Sequence, residues 1–193
     1  MISGLVYVLD DDPDLAASVS RLLRRHGYAA EPFIDAQALL AAHPREPADC
    51  IVADVMMPQM SGFEFADALR RSNSTVAVIF MTAWAKTDDA VEAIRDHGGF
   101  DYIAKPFDEK RLVDVVSKAV EQARARRQTD GRLASLSIRE RQVFDLITRG
   151  HTNKEVALEL GLSVRTVEDH RASILRKTST RSLAALIELS RST

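Results

Sequence analysis

The order of hydrophobic and polar residues divides the chain into two parts. In the first 120 residues, five short apolar runs alternate with segments whose apolar residues recur at helical spacing. Strands that alternate with helices form right-handed βαβ units and a parallel sheet. This part is therefore predicted to be a doubly wound, flavodoxin-like α/β domain with a five-stranded parallel sheet. The predicted strands are Leu5–Leu9, Ala29–Phe33, Cys50–Ala53, Val76–Met81 and Phe100–Ala104.

The rest of the chain shows only helical patterns. A long one runs from about Asp108 to Arg127, and the polar segment 128–132, which contains a glycine, is predicted to interrupt it as a linker. We therefore expect an α/β domain over residues 1–120, a helical extension and linker over 121–132, and an all-α, four-helix domain over 133–193. The four predicted helices are Ile138–Thr148, Asn153–Leu160, Val164–Thr178 and Leu183–Ser190.

Local signals mark several helix ends. Ser61 with Glu64, and Ser137 with Glu140, have the spacing of capping boxes, in which each side chain accepts a hydrogen bond from the other residue's backbone. Asp12, directly before Pro13, is expected to cap the first helix. Gly27 and Gly161 are expected to end helices.

Composition agrees with a folded protein, and charge separates its two parts. Hydrophobic residues make up 46% and charged residues 28% of the chain, which excludes disordered, fibrous and disulfide-scaffold classes. The net charge of −2 combines 12 basic and 19 acidic residues in residues 1–120 with 14 basic and 9 acidic residues in residues 121–193. A lone Cys50 and the lack of a bilayer-length apolar stretch predict a cytoplasmic protein.

Charged side chains and a hydroxyl follow the predicted strands. They are Asp10–Asp12 after the first strand, Asp54 after the third, Thr82 after the fourth and Lys105 after the fifth. In parallel α/β sheets, ligands bind at the carboxyl ends of the strands. Clustered carboxylates suit a hard cation such as Mg²⁺, so the set predicts a metal-assisted phosphate site. Each carboxylate taken singly could equally cap the following helix.

At such a site Asp54 is the natural nucleophile toward phosphorus, because it stands alone at the end of the central strand. An attack by its carboxylate would give an acyl phosphate. Lys105 would place a positive charge beside the phosphoryl group, and the Thr82 hydroxyl would donate a hydrogen bond to it.

These motifs together resemble the receiver domain of two-component response regulators. The motifs are Asp10-Asp11, Asp54-Val55-Met56-Met57-Pro58 with Gly62, Thr82-Ala83 and Lys105-Pro106-Phe107. The resemblance implies that a histidine kinase transfers a phosphoryl group to Asp54. It also implies that Asp11, Asp54 and the backbone carbonyl of Met56 hold Mg²⁺, with Asp10 assisting.

The resemblance further implies a switch pair and a peptide geometry. Thr82 would move toward the phosphate while the ring of Tyr102 turns inward, and the Lys105-Pro106 bond would be cis. The chain departs from the usual pattern in two places. One is an extra residue in the segment 95–100, beside the face through which this family usually dimerises. The other is Met56 and Trp84, which place bulky apolar side chains where water would attack the acyl phosphate. We therefore expect phosphorylation to be long-lived, with only slow autodephosphorylation and no other enzyme activity.

In the basic part, two predicted helices are separated by Gly161-Leu162-Ser163, the spacing of a helix-turn-helix. On the second of them, three apolar residues are expected to face the core, with His170 half-buried at its edge, and a polar face remains for a DNA groove. The apolar residues are Val164, Val167 and Ile174, and the polar face carries Arg165, Glu168, Asp169, Ala172 and Arg176.

The sequence of this part resembles the LuxR-type DNA-binding domain, and it is most similar to the FixJ branch of that family. The residues that carry the resemblance are Leu136-Ser137-Ile138-Arg139-Glu140-Arg141, Gly150-His151-Thr152-Asn153-Lys154-Glu155-Val156-Ala157, Arg165-Thr166-Val167-Glu168-Asp169-His170-Arg171, Lys177 and Arg181-Ser182. By position, it implies base contacts from Glu168, Asp169 and Ala172. Phosphate contacts are expected from Lys154, Arg165, Thr166, Arg171 and Lys177.

The expected function is a transcription regulator whose binding to promoter DNA is switched by phosphorylation of Asp54. Its expected partners are a histidine kinase, DNA, RNA polymerase and, once phosphorylated, a second copy of the chain, with no membrane partner. Two alternatives remain open at this point: a phosphatase with an aspartyl nucleophile, and a receiver that dimerises without being phosphorylated. Met56 argues against the phosphatase, because that chemistry commonly needs a second Asp two residues after the nucleophile.

Overall fold

The computed structural model describes residues 4–72, 74, 76–83 and 96–191. The chain divides into two compact units, Met1–Arg124 and Ala125–Thr193. The first unit is an α/β unit and the second is helical, as the hydrophobic pattern predicts. Within the described ranges, no helix is long and apolar enough to cross a membrane.

The first unit contains one parallel five-stranded sheet in the order β2-β1-β3-β4-β5. The predicted strands are confirmed to within one residue at each end. Most of β3 and β4 is buried, which explains why their sequences read as continuous apolar runs. The strands are β1 (Leu5–Leu9), β2 (Ala29–Phe33), β3 (Cys50–Asp54), β4 (Ala77–Thr82) and β5 (Asp101–Ala104).

Helices pack on both faces of this sheet because successive residues of each strand point to opposite faces. Val6 and Val8 of β1 contribute to a core that includes residues of α1 (Pro13–Arg25) and α4 (Glu109–Ala134). Tyr7 and Leu9 contribute to a second core, with residues of α2 (Ala36–Ala42) and α3 (Gly62–Arg71). The arrangement confirms the doubly wound, flavodoxin-like prediction.

The predicted caps of this unit are present. The Asp12 carboxylate accepts hydrogen bonds from the backbone N–H groups of Asp14 and Leu15 at the start of α1. Ser61 and Glu64 form both hydrogen bonds of a capping box at the start of α3. These contacts fix the starts of α1 and α3 in the loops that follow β1 and β3.

The predicted polar interruption at 128–132 is wrong, since α4 continues through it to Ala134. Gly131 costs a helix only about 1 kcal/mol relative to alanine. The polar residues of the segment 128–132 are exposed or half-buried, so the helix can continue through them without burying a charge. Leu133, which follows the polar segment, is buried in the core of the second unit. Burial of this side chain offsets the weak helix propensity before it.

The second unit contains α5 (Ile138–Thr148), α6 (Asn153–Leu160), α7 (Val164–Thr178) and α8 (Leu183–Arg191) around one apolar core. The capping box of Ser137 and Glu140 is present. Gly161 ends α6 at φ +64°, a conformation that glycine adopts without steric cost. Thr152 and Glu155 form a further capping box, which the sequence analysis did not identify.

The core face of α7 is confirmed in part. Val167 and Ile174 are fully buried, and His170 is half-buried. The expectation for Val164 is wrong, because this residue is 39% exposed. It is the first residue of the helix, where the chain is still approaching the core from the turn.

Candidate functional site

Four functional side chains predicted from the sequence lie at one edge of the sheet. Asp10 comes directly after β1, Asp54 ends β3, Thr82 ends β4 and Lys105 comes directly after β5. These four strands are adjacent and parallel, so their carboxyl ends meet at the same edge. Asp10, Asp54 and Thr82 are buried. The sheet topology thus brings together residues that are up to 95 positions apart.

Lys105 connects the two buried carboxylates. Its Nζ donates a hydrogen bond to Asp10 Oδ2 at 2.7 Å and lies 2.8 Å from Asp54 Oδ1. Hydrogen bonds between charged groups are stronger than those between neutral groups. Two carboxylates this close would otherwise repel each other, so Lys105 stabilises their ionised forms.

The pKa of Asp54 is raised from its ordinary value, mainly because the carboxylate is buried. The charges of Asp10 and Asp11 add to the rise, and the hydrogen bond and charge of Lys105 oppose it. For Lys105, burial acts to lower the pKa, but the hydrogen bonds to Asp10 and Asp54 outweigh it and the pKa is raised. Lys105 is therefore positively charged at neutral pH. A fixed positive charge beside Asp54 is suited to an incoming phosphoryl group.

A cluster of three carboxylates could hold a metal ion at the same edge. Asp10, Asp11 and Asp54 each offer an oxygen, and these atoms all lie within 4.8 Å of one another. Asp11 is exposed, whereas the other two are buried. An all-oxygen set with one solvent-facing member fits a hard divalent cation that keeps part of its water shell, as Mg²⁺ does.

The surroundings of the cluster are partly open. Asp11 lines a groove of about 260 Å³ together with Ile34 and Met57. Met56, two residues after Asp54, exposes 65% of its surface. Trp84, the second residue expected to exclude water, lies outside the described residues.

The two residues of the expected switch pair occupy neighbouring strands. Thr82 is buried at the end of β4, and Tyr102 of β5 is half-buried and packs against the second core of the α/β unit. The backbone N–H of Lys105 donates to the Thr82 carbonyl at 2.7 Å. The Lys105-Pro106 peptide is cis, as the resemblance implied.

In the helical unit, the residues expected to contact DNA lie on α6 and α7. Most of them are exposed, and Thr166 and Arg171 are half-buried. Arg171 is held in place, because its Nη1 donates to Asn153 Oδ1 at 2.6 Å. The exposed residues of this set are Lys154, Arg165, Glu168, Asp169, Ala172 and Lys177.

Lys177 has a partner within the protein. Its Nζ lies 2.6 Å from Oε2 of Glu140, a buried residue of α5. The sequence analysis used Glu140 only as a capping residue and did not identify this ion pair. Its 37-residue separation from Lys177 carries no local pattern that could have revealed it.

Comparison with known families agrees with the geometry of both units. The model of the response regulator receiver domain matches residues 6–117, and that of the luxR family of bacterial regulatory proteins matches residues 134–190. The chain therefore belongs to the response regulators and combines a receiver with a LuxR-type DNA-binding domain.

Similar proteins match this chain over nearly its whole length. The transcriptional regulatory protein FixJ of Bradyrhizobium diazoefficiens is 36% identical, over 96% of this chain and 94% of the relative. The response regulator protein TodT of Pseudomonas putida is 34% identical, over 97% and 85% respectively.

Solved structures give the same picture. Full-length FixJ from B. japonicum is 35% identical and has a TM-score of 0.60, with 100% of this chain and 98% of that chain covered. The response regulator StyR is 34% identical and has a TM-score of 0.60, with 98% of each chain covered. The predicted class, a response regulator that regulates transcription, is thereby confirmed.

Proposed function

We propose that Asp54 accepts a phosphoryl group from a histidine kinase and that this step switches DNA binding by the helical unit. The observation that carries the proposal is the position of Lys105, whose Nζ bridges Asp54 and Asp10. A carboxylate nucleophile beside a fixed cation is the arrangement that phosphoryl transfer needs.

Mg²⁺ is the proposed cofactor. Asp11 and Asp54 would supply carboxylate oxygens, Met56 its backbone carbonyl, and Asp10 would assist from its buried position. A bound Mg²⁺ would neutralise charge on the transferred oxygens. Lys105 would then pair with the phosphoryl group, and the hydroxyl of Thr82 would donate to it.

Within this proposal, Thr82 and Tyr102 transmit phosphorylation to the rest of the receiver. Thr82 ends β4 beside β5, and Phe80 of β4 is paired in register with Tyr102. A shift of the Thr82 hydroxyl toward a phosphoryl group would therefore change the packing beside Tyr102. Such a shift in a two-state equilibrium would favour a homodimer of the phosphorylated form.

DNA binding is proposed to use α6 and α7. Glu168, Asp169 and Ala172 are exposed on α7 and would face the bases, where the carboxylates could accept from cytosine N4 groups. Phosphate contacts are proposed for four residues, Lys154, Arg165, Thr166 and Arg171. The proposed domains are residues 1–120 for the receiver, 121–132 for the connecting segment and 133–193 for DNA binding. RNA polymerase at the regulated promoter is the proposed further partner.

The proposal includes no enzyme activity beyond self-catalysed phosphotransfer and slow autodephosphorylation. The exposed side chain of Met56 stands close to Asp54 in sequence and would hinder an attacking water when a phosphoryl group is present. The protein would act in the cytoplasm, where DNA and kinase meet.

The test is incubation with acetyl phosphate and Mg²⁺, followed by intact mass spectrometry and by selection of bound sequences from random DNA. We expect one added phosphoryl group and stronger sequence selection. Asp54→Asn should show neither effect. Asp35→Asn should behave as the unaltered protein, because Asp35 caps α2 and asparagine caps equally well. Phosphorylation that persists in Asp54→Asn would contradict the proposal.

A further inference from the structure

A buried carboxylate connects α5 to α7. Glu140 is the third residue of α5 and is 5% exposed. Its Oε1 accepts a hydrogen bond from Ser173 Oγ at 2.6 Å. Its Oε2 accepts from Lys177 Nζ at 2.6 Å and from the backbone N–H of Ser137 at 2.7 Å. The carboxylate is thus held by its own helix start and by two side chains of α7.

The two donors from α7 lie one helical turn apart, so they approach Glu140 from one flank. At 100° per residue, Ser173 and Lys177 lie between the exposed side of α7 that carries Ala172 and the buried side that carries Ile174. A rotation of α7 about its axis would break both contacts together. The hydrophobic effect is non-directional, whereas hydrogen bonds depend on distance and angle.

The contacts also reach the polar side of α7. Ser173 Oγ donates to Glu140 and accepts from Arg176 Nη2 at 3.3 Å. Arg176 is exposed. The orientation of this cation is therefore tied to the same buried carboxylate.

We propose that Glu140, Ser173 and Lys177 are positioning residues that set the orientation of α7 toward DNA, and that Lys177 acts through Glu140 rather than on a phosphate. The proposal rests on DNA binding through α7. It replaces the sequence-based expectation that Lys177 contacts the DNA backbone.

The energetics of the buried carboxylate favour this role. The hydrogen bond from Lys177, followed by those from Ser173 and Ser137, lowers the pKa of Glu140 to about 2. The carboxylate is therefore ionised at neutral pH. If Lys177 turned to a phosphate, it would leave a buried negative charge without its cation, which is strongly unfavourable.

The test compares the salt dependence of DNA binding in two lysine variants of the full chain. Binding of a random-sequence duplex is measured by fluorescence anisotropy over a series of KCl concentrations. Lys154→Gln removes a proposed phosphate contact, so it should reduce the slope of log affinity against log salt by about one unit per bound chain. Lys177→Gln should weaken binding at every salt concentration and leave the slope unchanged.

Two outcomes of this comparison overturn the proposal. One is a reduction in slope by Lys177→Gln that matches the reduction by Lys154→Gln. The other is binding by Lys177→Gln that equals the unaltered protein in both affinity and slope. If Lys154→Gln leaves the slope unchanged, the proposed phosphate contact of Lys154 is wrong. The role of Lys177 is still decided by the slope and affinity measured for Lys177→Gln.

A second measurement uses a neutral residue, which cannot change the number of neutralised phosphates. Ser173→Ala keeps the ion pair and removes one donor from α7, so it should weaken sequence selection from random DNA. Ser190→Ala, on α8, is the matched control and should select as the unaltered protein does. Hydrogen exchange of α5 and α7 establishes that each variant is folded. Selection by Ser173→Ala that matches the control would overturn the proposal.

Discussion

Gly62 packs directly against the backbone of Asp54. A Cβ atom on residue 62 would collide with the carbonyl oxygen of Asp54 and would lie 3.1 Å from the Cα of Val55. The N–H of Gly62 donates to the Val55 carbonyl at 3.0 Å, so the start of α3 is held against the end of β3. Only glycine allows this approach, which places Asp54, the proposed phosphoacceptor, relative to the helix that follows it.

Gly62→Ala should therefore displace the end of β3. We expect a loss of about 1–3 kcal/mol in the free energy of unfolding of the first unit, because the clash is with backbone that cannot turn aside. Phosphorylation by acetyl phosphate should slow at the same time. The measurements are urea unfolding followed by the fluorescence of Trp84, the single tryptophan, and mass spectrometry.

Gly131→Ala is the control for this prediction. A Cβ atom there meets nothing within 4 Å, and the residue lies inside α4. The substitution should raise the stability of the second unit, which contains Gly131, by about 0.5–1 kcal/mol, since alanine loses less backbone entropy in a helix, and it should leave the unfolding of the first unit unchanged. Equal stability changes in the two variants would show that the contact with Asp54 is unimportant.

Asp11→Asn should weaken Mg²⁺ binding by about tenfold or more, since even partners outside the coordination shell contribute at this level. Asp11 is the exposed carboxylate of the cluster, so its substitution should leave the fold intact. The measurement is the rise in thermal midpoint with added MgCl₂. Asp14→Asn, at an exposed position on α1, should respond to Mg²⁺ as the unaltered protein does. An unchanged response in Asp11→Asn would remove this residue from the proposed metal site.

Glu140 should make the stability of the helical unit dependent on pH. Its folded-state pKa of about 2 is lower than the ordinary value of 4.5, so the stabilisation is fully present above about pH 4.5 and is lost as pH falls toward 2. Hydrogen exchange of α5 and α7, corrected for intrinsic rates, should show Glu140→Gln less protected than the unaltered protein near neutral pH. This difference should shrink at about pH 3. A difference that is constant with pH would contradict the lowered pKa.

Ser179→Gly should stabilise the end of α7 by about 1 kcal/mol. Ser179 is the C-cap and adopts φ +55°, a left-handed conformation that costs a residue with a Cβ atom more than glycine. Ser182→Gly should instead destabilise the start of α8 by a few tenths of a kcal/mol. Ser182 Oγ accepts a hydrogen bond from the N–H of Ala185 there, and glycine cannot replace it. Hydrogen exchange of the α7 C-terminus checks the first substitution, and hydrogen exchange of the start of α8 checks the second. Destabilisation by Ser179→Gly would show that the serine side chain contributes more than the backbone strain costs.

Much of the fold could be predicted because the signals are local. An apolar run such as Ile51–Ala53 of the buried β3 can be recognised as a strand without knowing which strands it pairs with. A capping box such as Ser61 with Glu64 is complete within four residues. The interruption expected at 128–132 failed for a corresponding reason. The polar residues that suggested it are a local signal. The helix continues because Leu133 is buried against helices that come later in the chain, and the local sequence does not show this contact.

The sequence by itself determined the two-part organisation, the strands, most helix ends and the set of acidic and basic residues at the strand ends, since each depends on residues close together in the chain. The tertiary structure alone decided which of these charges meet. Lys105 bridges Asp10 and Asp54 because their strands are neighbours in the sheet, and Lys177 pairs with Glu140 because α5 and α7 share a core. Such long-range pairs follow from packing, which no local pattern encodes.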